Sequence, residues 1–137
     1  MTNIKIDLSN LDYKFIQKPL LVGGKAKEYY EIRKSGIDTD LIVSSEDYES
    51  LAEKYPANLK DLFGDKGVII NDFEIWKTIC LYDYDFLSED ATEVDDYKII
   101  SIEKLTFLTA LAIKKEKYLE DLKLLVDKVF EIKYKIK

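Results

Sequence analysis

The sequence predicts an α+β (α/β) domain: a mixed β-sheet flanked by helices, with further helices at the C-terminus. Three observations predict it. Short runs of branched apolar residues, Leu20–Val22 and then Leu41, Ile42 and Val43, are each followed by a turn signal and a helix-forming stretch. "IDTDLIV" carries the β-formers Ile37, Leu41, Ile42 and Val43 with no helical period, and residues 68–80, "VIINDFEIWKTIC", give one long strand or two in a hairpin. Over residues 102–132, Leu105, Leu108, Ala112, Leu119, Leu122, Leu125, Val126 and Val129 recur near the 3.6-residue spacing of a buried helix face. Strand, helix, strand, helix, strands and terminal helices is an order that lets helices cover a sheet. With 137 residues and 47% hydrophobic content, the chain has material for one core, so a single domain over 1–137 is expected.

Taken in order, residues 1–18 mix charges with Ile4, Ile6, Leu8, Leu11, Phe15 and Ile16, which suggests an edge strand and a short helix capped near Ser9 or Asn10. Leu20–Val22 is a buried strand that turns sharply at Gly23-Gly24. A helix from Lys25 to about Arg33 follows, ended by "KSG" with Gly36 in the left-handed terminal position. "IDTDLIV" is the next strand. "SSEDYESLAEKYP" is a helix with Ser44 or Ser45 as its cap, acids in its first turn and Pro56 after it. A loop holds "FGDKG", and 68–80 is one long strand or a hairpin about Asn71-Asp72. Residues 83–96 are acidic and expected as an irregular surface loop. "YKIIS" is a last short strand, and residues 114–117 are a polar hinge within the C-terminal helical pattern.

Composition removes several chemistries. With no histidine and one cysteine, Cys80, the chain builds neither a zinc cluster nor a Ser-His or Cys-His pair, and no internal disulfide. A net charge of −6 disfavours long-range attraction to a nucleic-acid backbone unless the basic residues cluster. No apolar run approaches 18 residues and no charged-then-apolar leader opens the chain, so neither a membrane span nor a secretory signal is expected, and the location expected is cytoplasmic.

Chemistry concentrates in "LLVGGKAKEYYEIRKSGIDTDLIV". Asp38 and Asp40 alternate onto one side of a strand, where their like charges repel unless a divalent cation such as Mg²⁺ joins them. A pair of exposed aspartates ahead of a strand is the plainer alternative. Gly23-Gly24 before a helix lets a ligand approach the backbone, with Lys25 and Lys27 nearby for a phosphate chain; a tight strand-to-helix turn explains the same two glycines. Glu74 lies between Phe73 and Ile75. As a strand, this segment sends the two apolar side chains to the core and Glu74 to the other face with Asp72. Three carboxylates from neighbouring strands would hold two metal ions, one orienting phosphates and one activating an acceptor hydroxyl. Lys117 and Asp121 stand at i,i+4 spacing, either as a surface ion pair or as substrate contacts. Tyr29, Tyr30, Tyr82, Tyr84 and Tyr118 are stacking candidates, though core burial accounts for most rings, Trp76 included.

The arrangement of Gly23, Gly24, Ala26, Arg33, Ser35, Asp38 and Asp40 resembles the nucleotidyltransferase superfamily with the DNA polymerase β-like fold, and most closely its bacterial abortive-infection and lincosamide-nucleotidyltransferase-like branch. A second pattern of that branch, basic-x-Lys-Asp-x-x-Asp-hydrophobic, is similar to "KKEKYLEDLKLL" at Lys115, Lys117 and Asp121, so the likeness runs from about Leu20 to Leu125. The resemblance implies a catalytic and metal set of Asp38, Asp40 and Glu74. It implies nucleotide contacts from Gly23, Gly24, Lys25, Arg33, Ser35, Lys117 and Asp121. The chain departs from the pattern in three places: Lys25 replaces a small hydroxyl residue, Tyr118 replaces an acid, and a helix lysine is absent near Thr109.

A Mg²⁺-dependent domain is thus expected, with two divalent cations and Mn²⁺ as a substitute, that transfers a nucleotidyl group from an NTP to an acceptor hydroxyl. The acceptor is left open among small molecules, tRNA and protein. Its place is expected in a cleft between the sheet and the C-terminal helices or on a second subunit, as in a homodimer. The rival expectation is a catalytically degenerate nucleotide-binding, regulatory or toxin–antitoxin-type interaction module.

Overall fold

The computed structural model describes residues 1–135. Its fold is α+β, and its element order begins with β1 (Leu20–Val22), α1 (Gly23–Tyr29), β2 (Thr39–Ile42) and α2 (Ser45–Lys54). There follow β3 (Leu59–Leu62), β4 (Asp65–Ile70), β5 (Phe73–Trp76), the short β6 (Thr78–Ile79) and β7 (Tyr82–Asp83), and α3 (Tyr84–Leu87). The chain closes with β8 (Thr92–Val94), β9 (Tyr97–Ile99), α4 (Ile102–Leu111) and α5 (Lys117–Tyr134). Among the described residues, seven strands make one mixed sheet in the order β3-β4-β5-β2-β1-β9-β8, while β6 and β7 form a separate hairpin. The short apolar strand β1 is central: it pairs antiparallel with β2 and parallel with β9, and β2 in turn pairs parallel with β5.

Burial explains why the middle of the sheet holds. Leu20, Leu21, Leu41, Ile42, Ile75 and Ile99 on the central strands are fully buried, as are Leu51 of α2, Leu105 of α4 and Leu125 of α5. Each such side chain contributes about 1.5–3 kcal/mol relative to exposure. The cap of α2 is as the sequence indicates, since Ser44 accepts from the Asp47 amide. Asp47 itself is fully buried and accepts from the Tyr13 hydroxyl at 2.6 Å, the Ile16 and Gln17 amides and the Ser44 hydroxyl. That one carboxylate ties the N-terminal segment to the start of α2.

The hairpin about Asn71-Asp72 forms between β4 and β5, the hinge separates α4 from α5, and the last short strand is β9. Other expectations are corrected. Residues 1–18 contain no strand; they carry a short 3-10 turn, Leu8–Leu11, capped by Asp7 rather than by Ser9 or Asn10. Helix α1 stops at Tyr29 instead of Arg33 because Glu31 adopts the left-handed conformation, φ 65°, and the Ile32 amide closes onto the Lys27 carbonyl. Gly36 is not a left-handed terminator. The segment expected as a loop around "FGDKG" is a β3–β4 hairpin turning at Phe63-Gly64, and residues 83–96 contain α3 and the edge strand β8 instead of lying wholly irregular. Both edge strands are exposed and charged. Their pairing comes from a neighbour and leaves little apolar alternation in the sequence.

Candidate functional site

The turn from β1 into α1 places the first functional group. Gly23 has φ +68°, and a β-carbon there would fall 2.1 Å from the Asp40 Oδ2 atom. Asp40 therefore needs a glycine as neighbour on two counts, backbone conformation and space. Gly24 is different. A β-carbon there would meet the Ser35 β-carbon at 3.6 Å and Arg33 nitrogens at 3.8 and 4.0 Å, ordinary contact distances, so packing alone does not demand that glycine.

Register supplies the second group. Asp40 on β2 is directly opposite Glu74 on the parallel strand β5, so the two carboxylates leave the same face of adjacent strands roughly 4.8 Å apart at the backbone. Phe73 and Ile75 are buried on the other face, as their alternation around Glu74 indicates. Burial first, then the charges of Glu74 and Asp38, push the Asp40 carboxyl up to about 6, against the pull of Lys27 and Lys25. Asp38 lies in the exposed segment just before β2; its charge acts on Asp40 from outside the strand. Asp72 is exposed at the hairpin turn, where its carbonyl accepts from the Thr39 amide. Among the described residues no group of three or more acidic, thiol or imidazole side chains stands close enough to hold a metal ion. What the sheet presents directly is the Asp40–Glu74 pair.

This pair opens into a cleft of about 380 Å³ between the sheet and the C-terminal helices. Its polar wall is Gly23, Lys27, Asp40, Asp65 and Glu74; its apolar wall includes Trp76, Leu105, Leu108 and Tyr118. The Trp76 indole packs against Gly67, where a β-carbon would be 2.6 Å from the ring; Trp76 is buried and also lines the cleft. Asp65 is held by structural bonds, accepting from the Thr78 hydroxyl and the Cys80 and Leu81 amides. Thr109, near which the resemblance implies a helix lysine that this chain lacks, also lines the cleft, with its hydroxyl donating to the Leu105 carbonyl.

The basic residues divide into two groups. Lys27 is 4% exposed and donates to Asp121 Oδ2 at 2.9 Å, while Arg33 Nε bridges both Asp121 oxygens at 3.0 Å. Burial alone would raise the Asp121 carboxyl, but the hydrogen bonds and charges of Lys27 and Arg33 hold it below its ordinary value. The expected Lys117–Asp121 pair is thus corrected: Asp121 is buried and its partners come from α1 and the segment after it. Lys117 is exposed, with its ammonium 4.9 Å from the Tyr118 ring centre. Lys25 donates to the Gly36 carbonyl at 3.1 Å and to the Ser35 hydroxyl at 3.5 Å. Ser35 donates from both its amide and its hydroxyl to Glu28.

Of the tyrosines, Tyr30 and Tyr84 are buried and donate to the Ile100 and Lys18 carbonyls, whereas Tyr118 lines the cleft. Lys27 is absent from the nucleotide contacts that the resemblance implies, although the sequence offers it beside Lys25 for a phosphate chain; it sits next to Ala26 on the inward face of a short helix, where an apolar residue is the usual choice.

Among the described residues, no helix is long and apolar enough to cross a membrane. No known family model matches the chain, and no curated protein matches it.

Proposed function

We propose that the chain is a Mg²⁺-dependent nucleotidyltransferase-like domain that binds an NTP and transfers its nucleotidyl group to an acceptor hydroxyl. Its main support is the Asp40–Glu74 pair, two hard oxygen donors on adjacent parallel strands beside the Gly23 turn. Mg²⁺ commonly takes one or two carboxylates together with substrate phosphates, and the donor set suits it. Asp40 and Glu74 would hold the cation, with Asp38 joining from the segment before β2. When bound, the metal supplies charge neutralisation for the phosphates and lowers the barrier to attack on phosphorus.

The chain's own residues do the rest. Gly23 lines the cleft beside Asp40 without a side chain to obstruct it, and the Trp76 and Tyr118 side of the cleft gives an apolar bed for the nucleoside. In the transfer, the acceptor oxygen bonds to the α-phosphorus, the bond from that phosphorus to the β-phosphate oxygen breaks, and pyrophosphate leaves. The hydroxyl proton passes to a Glu74 carboxylate oxygen.

A second reading is favoured by one observation: Lys25, which stands where the resemblance has a small hydroxyl, is tied to Ser35 and Gly36 instead of lying open at the glycine turn. It makes the domain a degenerate nucleotide-binding or interaction module. Incubation with each labelled NTP, Mg²⁺ and pools of tRNA, protein and small hydroxylated compounds separates the two. Pyrophosphate release with at least one NTP is the expected result. No pyrophosphate from any pool, with no NTP-induced rise in melting temperature, overturns the enzyme.

A further inference from the structure

We infer that Lys27 is the cation that takes the phosphate chain of the nucleotide in this cleft, an assignment that builds on the proposed nucleotide site. Burying an ammonium is costly, and a lysine buried in a protein interior is paired or loses its proton. Lys27 is paired, yet incompletely. An ammonium has three donors, and Asp121 takes one of them. Asp121 is also shared with Arg33, so the three side chains together carry two positive charges against one negative. The Tyr118 ring covers a further side of the ammonium at 4.8 Å. Lys27 also lines the cleft, where it is the one cationic lining residue among those described, beside Asp40 and Glu74. Its charge already reaches Asp40, whose carboxyl it stabilises in the ionised form. A surplus positive charge on one side and a carboxylate pair on the other are complementary to a phosphate chain carrying a divalent cation.

A purely structural strut between α1 and α5 is the competing role, and ligand affinity distinguishes them. Trp76 is the only tryptophan of the chain and lines the same cleft, so its fluorescence reports occupancy. The titrations use MgATP, inorganic tripolyphosphate with Mg²⁺, and adenosine, on wild type, Lys27→Met and Asp121→Asn. Lys27→Met keeps side-chain length, and Asp121 keeps Arg33. The expected result is at least a tenfold weaker affinity for tripolyphosphate and MgATP in Lys27→Met, with adenosine unchanged. Asp121→Asn, which frees Lys27 from its counter-charge, should bind tripolyphosphate several-fold more tightly than wild type, the opposite of what loss of a strut does. Should Lys27→Met fail to fold, the sign of the Asp121→Asn change decides alone. Equal tripolyphosphate affinity in wild type and Lys27→Met, or weaker binding by Asp121→Asn, overturns the assignment while MgATP binding by wild type leaves the proposed site standing. No response of wild type to either phosphate probe removes both.

Discussion

The Oδ2 atom of Asp40 occupies the space that a β-carbon on residue 23 would need, so the first glycine of the turn and the carboxylate of β2 are fitted to each other. Gly23→Ala puts a side chain both at φ +68° and into that oxygen. The left-handed backbone alone costs about 1–2 kcal/mol, and displacing Asp40 adds to it. Gly24→Ala meets only ordinary contacts and gains up to about 1 kcal/mol of helix propensity. Thermal melts should therefore show Gly23→Ala well below wild type and Gly24→Ala at or above it. If Gly24→Ala keeps its stability but loses MgATP affinity, the second glycine serves a ligand; unchanged affinity leaves it a simple turn residue.

Asp40 gives stability a definite pH dependence. Its ordinary value is 3.8, and in the fold it rises to about 6. Between those values the folded state holds a proton that the unfolded chain has lost, so stability falls as pH rises through the window and levels off above it. Denaturant titrations of wild type and Asp40→Asn from pH 4 to 7 without divalent cations should differ by that slope. Parallel profiles for the two proteins would mean that Asp40 is not held in a raised state.

Lys27 and Asp121 lie 94 residues apart in sequence yet form a buried ion pair. Asp121→Ala leaves the ammonium of Lys27 without its partner, and breaking a buried pair on one side typically costs about 3–5 kcal/mol. Replacing both, Lys27→Met with Asp121→Leu, removes the charges together and should recover most of that loss, because Arg33 is exposed enough to turn to solvent. Urea unfolding of the single and double variants checks this. A double variant as unstable as Asp121→Ala would show that shape, not charge, governs the contact.

That pair also marks the limit of what the sequence discloses. The face shared by Asp40 and Glu74 is legible, because alternation around Glu74 sets Phe73 and Ile75 against it and strand periodicity is short-range. The partner of Asp121 is not. Helical spacing offers Lys117 at i,i+4, and nothing local reveals that tertiary packing turns Asp121 inward to α1. The end of α1 is hidden for a similar reason: Glu31 takes a conformation usually given to glycine, while Gly36, the residue that invites it, does not. Edge strands β3 and β8 carry exposed charged residues, so their apolar pattern is too thin to distinguish them from loops.

Asp38 and Asp40 are the place to test the metal. If they serve only solubility, their replacement by Asn changes stability by no more than about 0.5 kcal/mol under any condition. Asp40 is half-buried and repelled by Glu74 and Asp38, so the double variant Asp38→Asn, Asp40→Asn should be more stable than wild type near pH 7 in the absence of divalent cations. Cations reverse the order. A ligand that binds only the folded state at about 100 times its dissociation constant adds about 2.7 kcal/mol, a shift of several degrees in a melt. Wild type should gain this with Mg²⁺ or Mn²⁺ and a non-hydrolysable NTP, and the double variant should not. The gain should also shrink below pH 6, where Asp40 holds a proton and cannot act as a ligand. Equal cation-dependent shifts for the two proteins at pH 7, with Mg²⁺, with Mn²⁺ and with the nucleotide present, would remove these aspartates from any metal site and take nucleotidyl transfer with them.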